Sequence, residues 1–387
     1  MKLLSFLGLL ALSLTPVTAK VGEDDHNSDY YVLHLEHGVE PRSVGERLGL
    51  AYERELQGLD DHHIFRSPKS EDNHVDAALT ARRRAKRGLG DVDLLDSIYF
   101  SHKEKPPKYL EKRTQHAPRQ DGFGFDEEPS EDTFDLQEKV MVDVDIQDPM
   151  FPKQWHLFNT FEPGNDINVT DVWRQNITGS NVTVALLDDG LDMDSTDLKD
   201  NYFAAGSWDF NDDDPKPKPV LSDDTHGTHG AGAVAAAKNN VCGIGVAFDA
   251  KVSGIRILSA ALGDSTLAEA MTFKNQLNDI YTCSWGPPDD GIAMDAPGTI
   301  VQRAMVQGTQ KGRGGHGSVF VFASGNGRTY EDNCNFDGYA NSIYSITIGA
   351  LDYTNQQSYY SEQCSANLAV TYSSGSGRYI VCRSETP

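Results

Sequence analysis

The segment from Val182 to Gly230 constrains the fold most. Val182-Thr183-Val184-Ala185-Leu186-Leu187 is a short apolar run that stops at Asp188-Asp189-Gly190. A run of that length, closed by a turn signal, predicts a buried strand of a parallel sheet. Open α/β sheets carry their chemistry at the carboxyl ends of strands, and this strand delivers a carboxylate there. Downstream, His226-Gly227-Thr228 leads into the small-residue run from Ala231 to Ala237, which suits a closely packed helix. An acid at a strand tip and an imidazole at a helix start are two members of a charge relay. The acid orients the ring, and the ring takes a proton from a nucleophile.

The remainder of the C-terminal part alternates in the same way. Strands are expected at 251–258, 279–284, 318–323 and 342–351, with helices at 230–238, 267–277 and 299–311. Such alternation predicts a mainly parallel sheet flanked by helices, an α/β fold. The length of 387 residues leaves room for a smaller second unit. Residues 20–113 fill that role, with strand patterns at 30–35 and 62–65 and a short helix at 44–50. They read as a small α+β domain. Residues 114–146 are polar and acidic and are expected to be a mobile connector. Order resumes at Asp148-Pro149.

With 34 basic and 58 acidic residues the net charge is −24, which argues against nucleic acid as a partner. Twelve Asp and no Glu fall between Asp188 and Gly230, so short, stiff carboxylates surround the relay pair and would attract cationic peptides. Residues 1–19 carry a lysine, an apolar run and a Val-Thr-Ala ending, the pattern of a secretory signal peptide. No later run is long enough to span a bilayer, so no membrane span is expected. Five cysteines in an oxidising compartment leave at least one unpaired. The sequons at Asn168, Asn176 and Asn181 are glycosylation candidates, with Asn181 ranked lower because it opens a buried strand.

Six motifs, DDGLD, DDTHGTHGAG, SWGPPDDG, FASGNG, DGYANSIYSITIGA and AVTYSSGSG, occur in the order found in the kexin/furin branch of the subtilisin-like serine proteases, which the chain resembles from about Gln147 to Gly377. The resemblance implies a calcium-dependent endoprotease that cuts secretory precursors after Lys-Arg or Arg-Arg. It implies a subtilisin-like catalytic domain over 147–377. Residues 20–113 would be a pro-domain acting as intramolecular chaperone and inhibitor. Asp188 and His226 would be catalytic and Asn326 the oxyanion amide.

Asp189 and Asp223 would bind the basic residue before the scissile one. Ser284-Trp285-Gly286 would pair with the substrate backbone. Asp337 would line the pocket for the scissile arginine, and Glu269 and Asp295 the outer pockets. One calcium site would draw on Asp148, Asp197 and Asn239 with carbonyls from 236–243, and another on Asp289, Asp332 and Glu362. Cys334 and Cys364 match a family disulfide, and Cys283 is expected as a buried thiol.

Self-processing would fall after Lys112-Arg113, with a secondary cut after Arg87. Intact relatives of this kind reside in the late Golgi on a membrane anchor; this chain is expected to be lumenal or secreted. The sequence departs from the family at Arg328, where a glycine is usual, and at His229-Gly230 and Ala233. It contains no Gly-Thr-Ser. The tail 378–387 diverges, so the chain as written is expected to lack the nucleophile serine and to be inactive. Two other functions fit such a chain: a non-catalytic decoy acting through its pro-domain, or an inert secreted calcium-binding protein.

Overall fold

The computed structural model describes residues 27–86, 92–114 and 130–381. The expected signal peptide, Arg87, Cys382 and the rest of the divergent tail lie outside the described residues.

The N-terminal unit runs β1 (Ser28–Leu35), α1 (Pro41–Leu48), β2 (Ala51–Glu55), β3 (His62–Pro68), α2 (His74–Ala85) and β4 (Ile98–Lys103). Its four-stranded sheet has the order β2-β3-β1-β4, every pairing antiparallel. Alternation in β1 sends Tyr31, Leu33 and Leu35 into one core with Val44, Phe65, Val75 and Leu79. Tyr30 and Val32 face the other way, into a second core shared with the C-terminal domain. Helix α1 starts with Pro41 behind the Glu40 cap and stops at Gly49 in the left-handed conformation. Arg82-Arg83-Arg84, just before the expected secondary cut after Arg87, form the last turn of α2, where cations suit the helix dipole. Arg82 is also fixed there by Asp96 at 2.7 Å.

After β5 (Glu111–Lys112) comes α3 (Glu131–Val144), in the stretch expected to be mobile. Over residues 131–144 the chain is helical and packed instead. Acidic residues fill the helix's first turn, and Val140, Met141 and Val144 pack with Ile146, Phe151, Leu157 and Trp173. The high acid content masked a narrow apolar stripe.

The C-terminal domain continues with α4 (Thr170–Arg174), β6 (Thr183–Asp188), β7 (Trp208–Asp209), α5 (His226–Ala235), β8 (Lys251–Arg256), α6 (Asp264–Thr272), β9 (Ile280–Cys283) and β10 (Trp285–Gly286). It ends with α7 (Thr299–Gly315), β11 (Val319–Ala323), β12 (Ser345–Leu351) and β13 (Asn367–Tyr372). Seven strands form one sheet in the order β13-β12-β11-β9-β6-β8-β7, and their pairings are parallel. Strand β6 is buried throughout, as its unbroken apolar run requires. Parallel strands end on one edge, so the residues following β6, β9 and β11 meet there.

Two of the places where boundaries differ from the sequence reading bear on the expected residues. Helix α6 stops at Thr272, because Lys274 takes φ 51° and Leu277 is left exposed. Asn181 lies outside β6, exposed at φ 66°, so the burial argument against its sequon does not hold. Asn168 and Asn176 are also exposed, at φ 51° and 60°. Among the described residues no helix is long and apolar enough to cross a membrane.

Candidate active site

Asp188 ends β6 and His226 opens α5, so both side chains reach the carboxyl edge of the sheet. His226 Nδ1 lies 2.9 Å and 3.0 Å from the two Asp188 carboxylate oxygens. Burial opposes charging of the ring. Asp188, Asp189 and the Arg113 backbone outweigh it and raise the His226 pKa above the ordinary histidine value. An imidazole held in this way has a fixed tautomer and stabilises added positive charge. Among the described residues no hydroxyl is hydrogen-bonded to the ring.

The N-terminal domain reaches this edge directly. Strand β5 pairs antiparallel with β10, matching Lys112 to Trp285 and Glu111 to Gly286, and Arg113 N–H donates to Ser284 O at 2.9 Å. The expected backbone-pairing segment is therefore engaged by the chain's own Lys112-Arg113. Gly286 permits the approach, because a Cβ there would lie 2.3 Å from the Arg113 guanidinium.

Arg113 is enclosed. It donates to Asp337 Oδ2 at 2.5 Å and to Ala323 O at 2.5 Å, and its Nε lies 3.4 Å from Asp289. Lys112 Nζ lies 2.9 Å from Asp189 Oδ2 and 3.2 Å from Asp224 Oδ1. Asp223, the residue named from sequence, is 79% exposed with its carboxylate 3.7 Å away, and instead offers its carbonyl at 3.2 Å. Asp224 was missed. Two adjacent aspartates look equivalent in sequence, and only burial distinguishes them.

Asp295 accepts from Lys108 at 2.5 Å. Glu269 is buried, and it binds the Arg54 guanidinium and Gln57 N–H rather than anything in segment 108–113. Asn326 Nδ2 donates to Thr114 O at 3.1 Å, one carbonyl beyond that of Arg113. Arg328 is exposed and its guanidinium points to Ser358 O.

Asp289, Asp332 and Glu362 converge, with carboxylate oxygens within 4.8 Å of one another. Burial and the neighbouring acids push Glu362 up to about 8. Gly325, at φ 116°, makes room, since a Cβ there would lie 2.2 Å from Glu362. Crowded oxygen donors short of counter-charge fit a hard divalent cation. Asn239 brings Asp148 and Asp197 together in a second cluster: its N–H lies 3.2 Å from Asp148 and its amide 3.1 Å from Asp197. Burial raises both carboxyls to about 6, so this donor set also fits such a cation. Cys334 and Cys364 form a disulfide, and Cys283 is a buried thiol raised in pKa by burial.

Fold and edge together define a subtilisin-like protein. The crystal structure of fervidolysin from Fervidobacterium pennivorans aligns with TM-score 0.55 at 15% identity, covering 89% of this chain and 47% of that one. The Aeromonas sobria serine protease in complex with its chaperone aligns with TM-score 0.53 at 24% identity, over 59% of this chain and 43% of that one. Residues 179–379 match the subtilase family model, and the chain belongs to that family of serine proteases.

Among curated relatives, the dibasic-processing endoprotease of Yarrowia lipolytica is 56% identical over 65% of this chain and 26% of its own length. The dibasic-processing endoprotease of Schizosaccharomyces pombe is 44% identical over 96% of this chain and 48% of its own. Kexin of Saccharomyces cerevisiae is 47% identical over 92% and 42%. The chain thus spans less than half the length of these relatives.

Proposed function

We propose that this chain is the pro-domain and catalytic-domain part of a kexin-like serine endoprotease that cuts secretory precursors after Lys-Arg or Arg-Arg. One observation carries the reading: the chain's own Lys112-Arg113 is gripped by Asp189, Asp224, Asp289 and Asp337, with its backbone beside His226. In this reading Asp188 orients His226, and His226 takes the proton of an attacking hydroxyl that no described residue supplies. Asn326 donates toward the developing oxyanion, a contribution of about 3–4 kcal/mol in comparable sites.

The guanidinium pocket selects arginine because its acceptors are rigid and spread to match a planar fork. Residues up to Arg113 act as an inhibitory pro-domain, processed after that residue. Asp289, Asp332 and Glu362, and separately Asp148, Asp197 and Asn239, hold calcium, which supplies counter-charge and rigidity. The leading segment directs the chain into the secretory pathway, toward the late Golgi, with glycans at the exposed sequons.

The test is the product of a transcript read through the codons following Gly377, assayed on peptides with Lys-Arg before the scissile bond. Turnover abolished by His226→Ala supports the reading. Equal cleavage of peptides lacking basic residues refutes it.

The occupied cleft also favours a second reading, in which the pro-domain inhibits an intact relative. It requires that residues 20–113 inhibit a dibasic-specific protease at micromolar concentration.

A further inference from the structure

Asp224 presents its two carboxylate oxygens to quite different surroundings. Oδ2 accepts from Leu221 N at 2.9 Å, Val220 N at 3.2 Å, Ser259 Oγ at 2.9 Å and Arg256 Nη2 at 3.5 Å. Oδ1 faces Lys112 Nζ at 3.2 Å. With one oxygen saturated, the carboxylate cannot rotate without losing several donors at once.

Arg256 is the hub of this arrangement. It is 2% exposed at the end of β8, directly opposite Asp188 in the parallel ladder. Its Nη1 donates to Asp209 at 2.8 Å and Asp212 at 2.7 Å, and its Nε to Ser259 Oγ at 3.1 Å. One guanidinium thus serves three carboxylates and the serine that also holds Asp224. Without that cation, Asp209 and Asp224 would be buried carboxylates that have lost a shared donor, and Asp224 would lose one of the groups fixing its Oδ2.

We propose that Arg256 is a positioning residue for recognition of the basic side chain before the scissile residue. It fixes Asp224 so that one oxygen is held by the protein and the other faces the incoming ammonium. The inference rests on the reading of the Lys112 site given above. The Arg256 side chain makes no hydrogen bond to Lys112, Asp188 or His226, and reaches the Lys112 site through Asp224 and Ser259.

The test needs no turnover. The full chain is treated with N-hydroxysuccinimidyl acetate, and acylation of each lysine is followed by peptide mass mapping. In the wild type, Lys112, with 17% of its side chain exposed, reacts far more slowly than the exposed Lys311. Arg256→Met raises the Lys112 rate about tenfold while Lys311 is unchanged, and Arg256→Lys restores part of the protection. Ser259→Ala, a milder change at a half-buried residue, raises the Lys112 rate about threefold.

Protection of Lys112 that survives both Arg256→Met and Ser259→Ala overturns the proposal. Should the methionine variant fail to fold, the serine variant decides alone. If Lys112 in the wild type reacts as fast as Lys311, the cleft reading fails first, and this inference with it.

Discussion

Arg113 and Asp337 form a buried ion pair at 2.5 Å, between the last strand of the N-terminal domain and the loop following β11. The guanidinium also neutralises part of the charge of Asp289, which belongs to the acid cluster with Asp332 and Glu362. One side chain thus joins the two domains and the candidate cation site.

Arg113→Ala leaves Asp337 buried without its partner. Removing one member of a buried pair costs about 3–5 kcal/mol, because the remaining charge stays desolvated. Denaturant melts should show that loss. Arg113→Lys should recover only part of it, since an ammonium does not reproduce the planar fork that reaches Ala323 O through Nη1 and Asp337 through Nη2. A loss below about 1 kcal/mol would contradict the pairing as described.

Asp188→Asn should move the His226 titration in a known direction. In the wild type Asp188 helps to hold the ring above the ordinary value of 6.5, against the pull of burial. With the charge removed, burial has less to oppose it and the ring should titrate lower than in the wild type. Histidine NMR across pH 4–9 reads both midpoints, and an unchanged midpoint would exclude Asp188 as the cause.

Calcium should stabilise the chain through its two acid clusters. Chelation is expected to lower the Tm at neutral pH, by about 2 °C for each kcal/mol of binding free energy lost in a domain of this size. Asp332→Asn should reduce the calcium response without abolishing it, since the cluster around Asn239 remains. A Tm indifferent to both calcium and chelator would remove the cation reading.

Acid should loosen the N-terminal domain through His62. Burial, its largest influence, together with the neighbouring His34, Arg303 and His63, lowers this imidazole from 6.5 to about 4. His62 stacks on His34 at 4.2 Å, and its Nε2 has no hydrogen-bond partner. A base with a depressed folded pKa binds its proton more readily when unfolded. Its destabilising effect is absent well above 6.5 and grows as pH falls toward 4. His62→Gln should therefore flatten the fall in stability between pH 7 and 4.5, by up to about 3 kcal/mol. Identical slopes in variant and wild type would show that His62 does not contribute.

Much of the candidate site was legible because its residues lie in short contiguous motifs. Asp188 follows an apolar run, and His226 precedes a small-residue helix, so local pattern places each at the end of an element. Helix α3 was not legible, because its apolar stripe is sparse among acids and only packing against Phe151 and Trp173 makes it a helix. Glu269 could be named as an outer-pocket acid, but nothing in the sequence pairs it with Arg54, 215 residues away.

The sequence by itself determined the family, the parallel sheet, and the positions of Asp188 at a strand end and His226 at a helix start, since each depends on local periodicity or a continuous motif. Only the tertiary structure decided that Asp224 rather than Asp223 turns its carboxylate to Lys112, that Arg113 lies between Asp337 and Asp289, and that Arg256 gathers three acids. Neighbouring carboxylates are chemically alike along a chain. They become different only when folding buries one, exposes the other and brings a distant cation to the first.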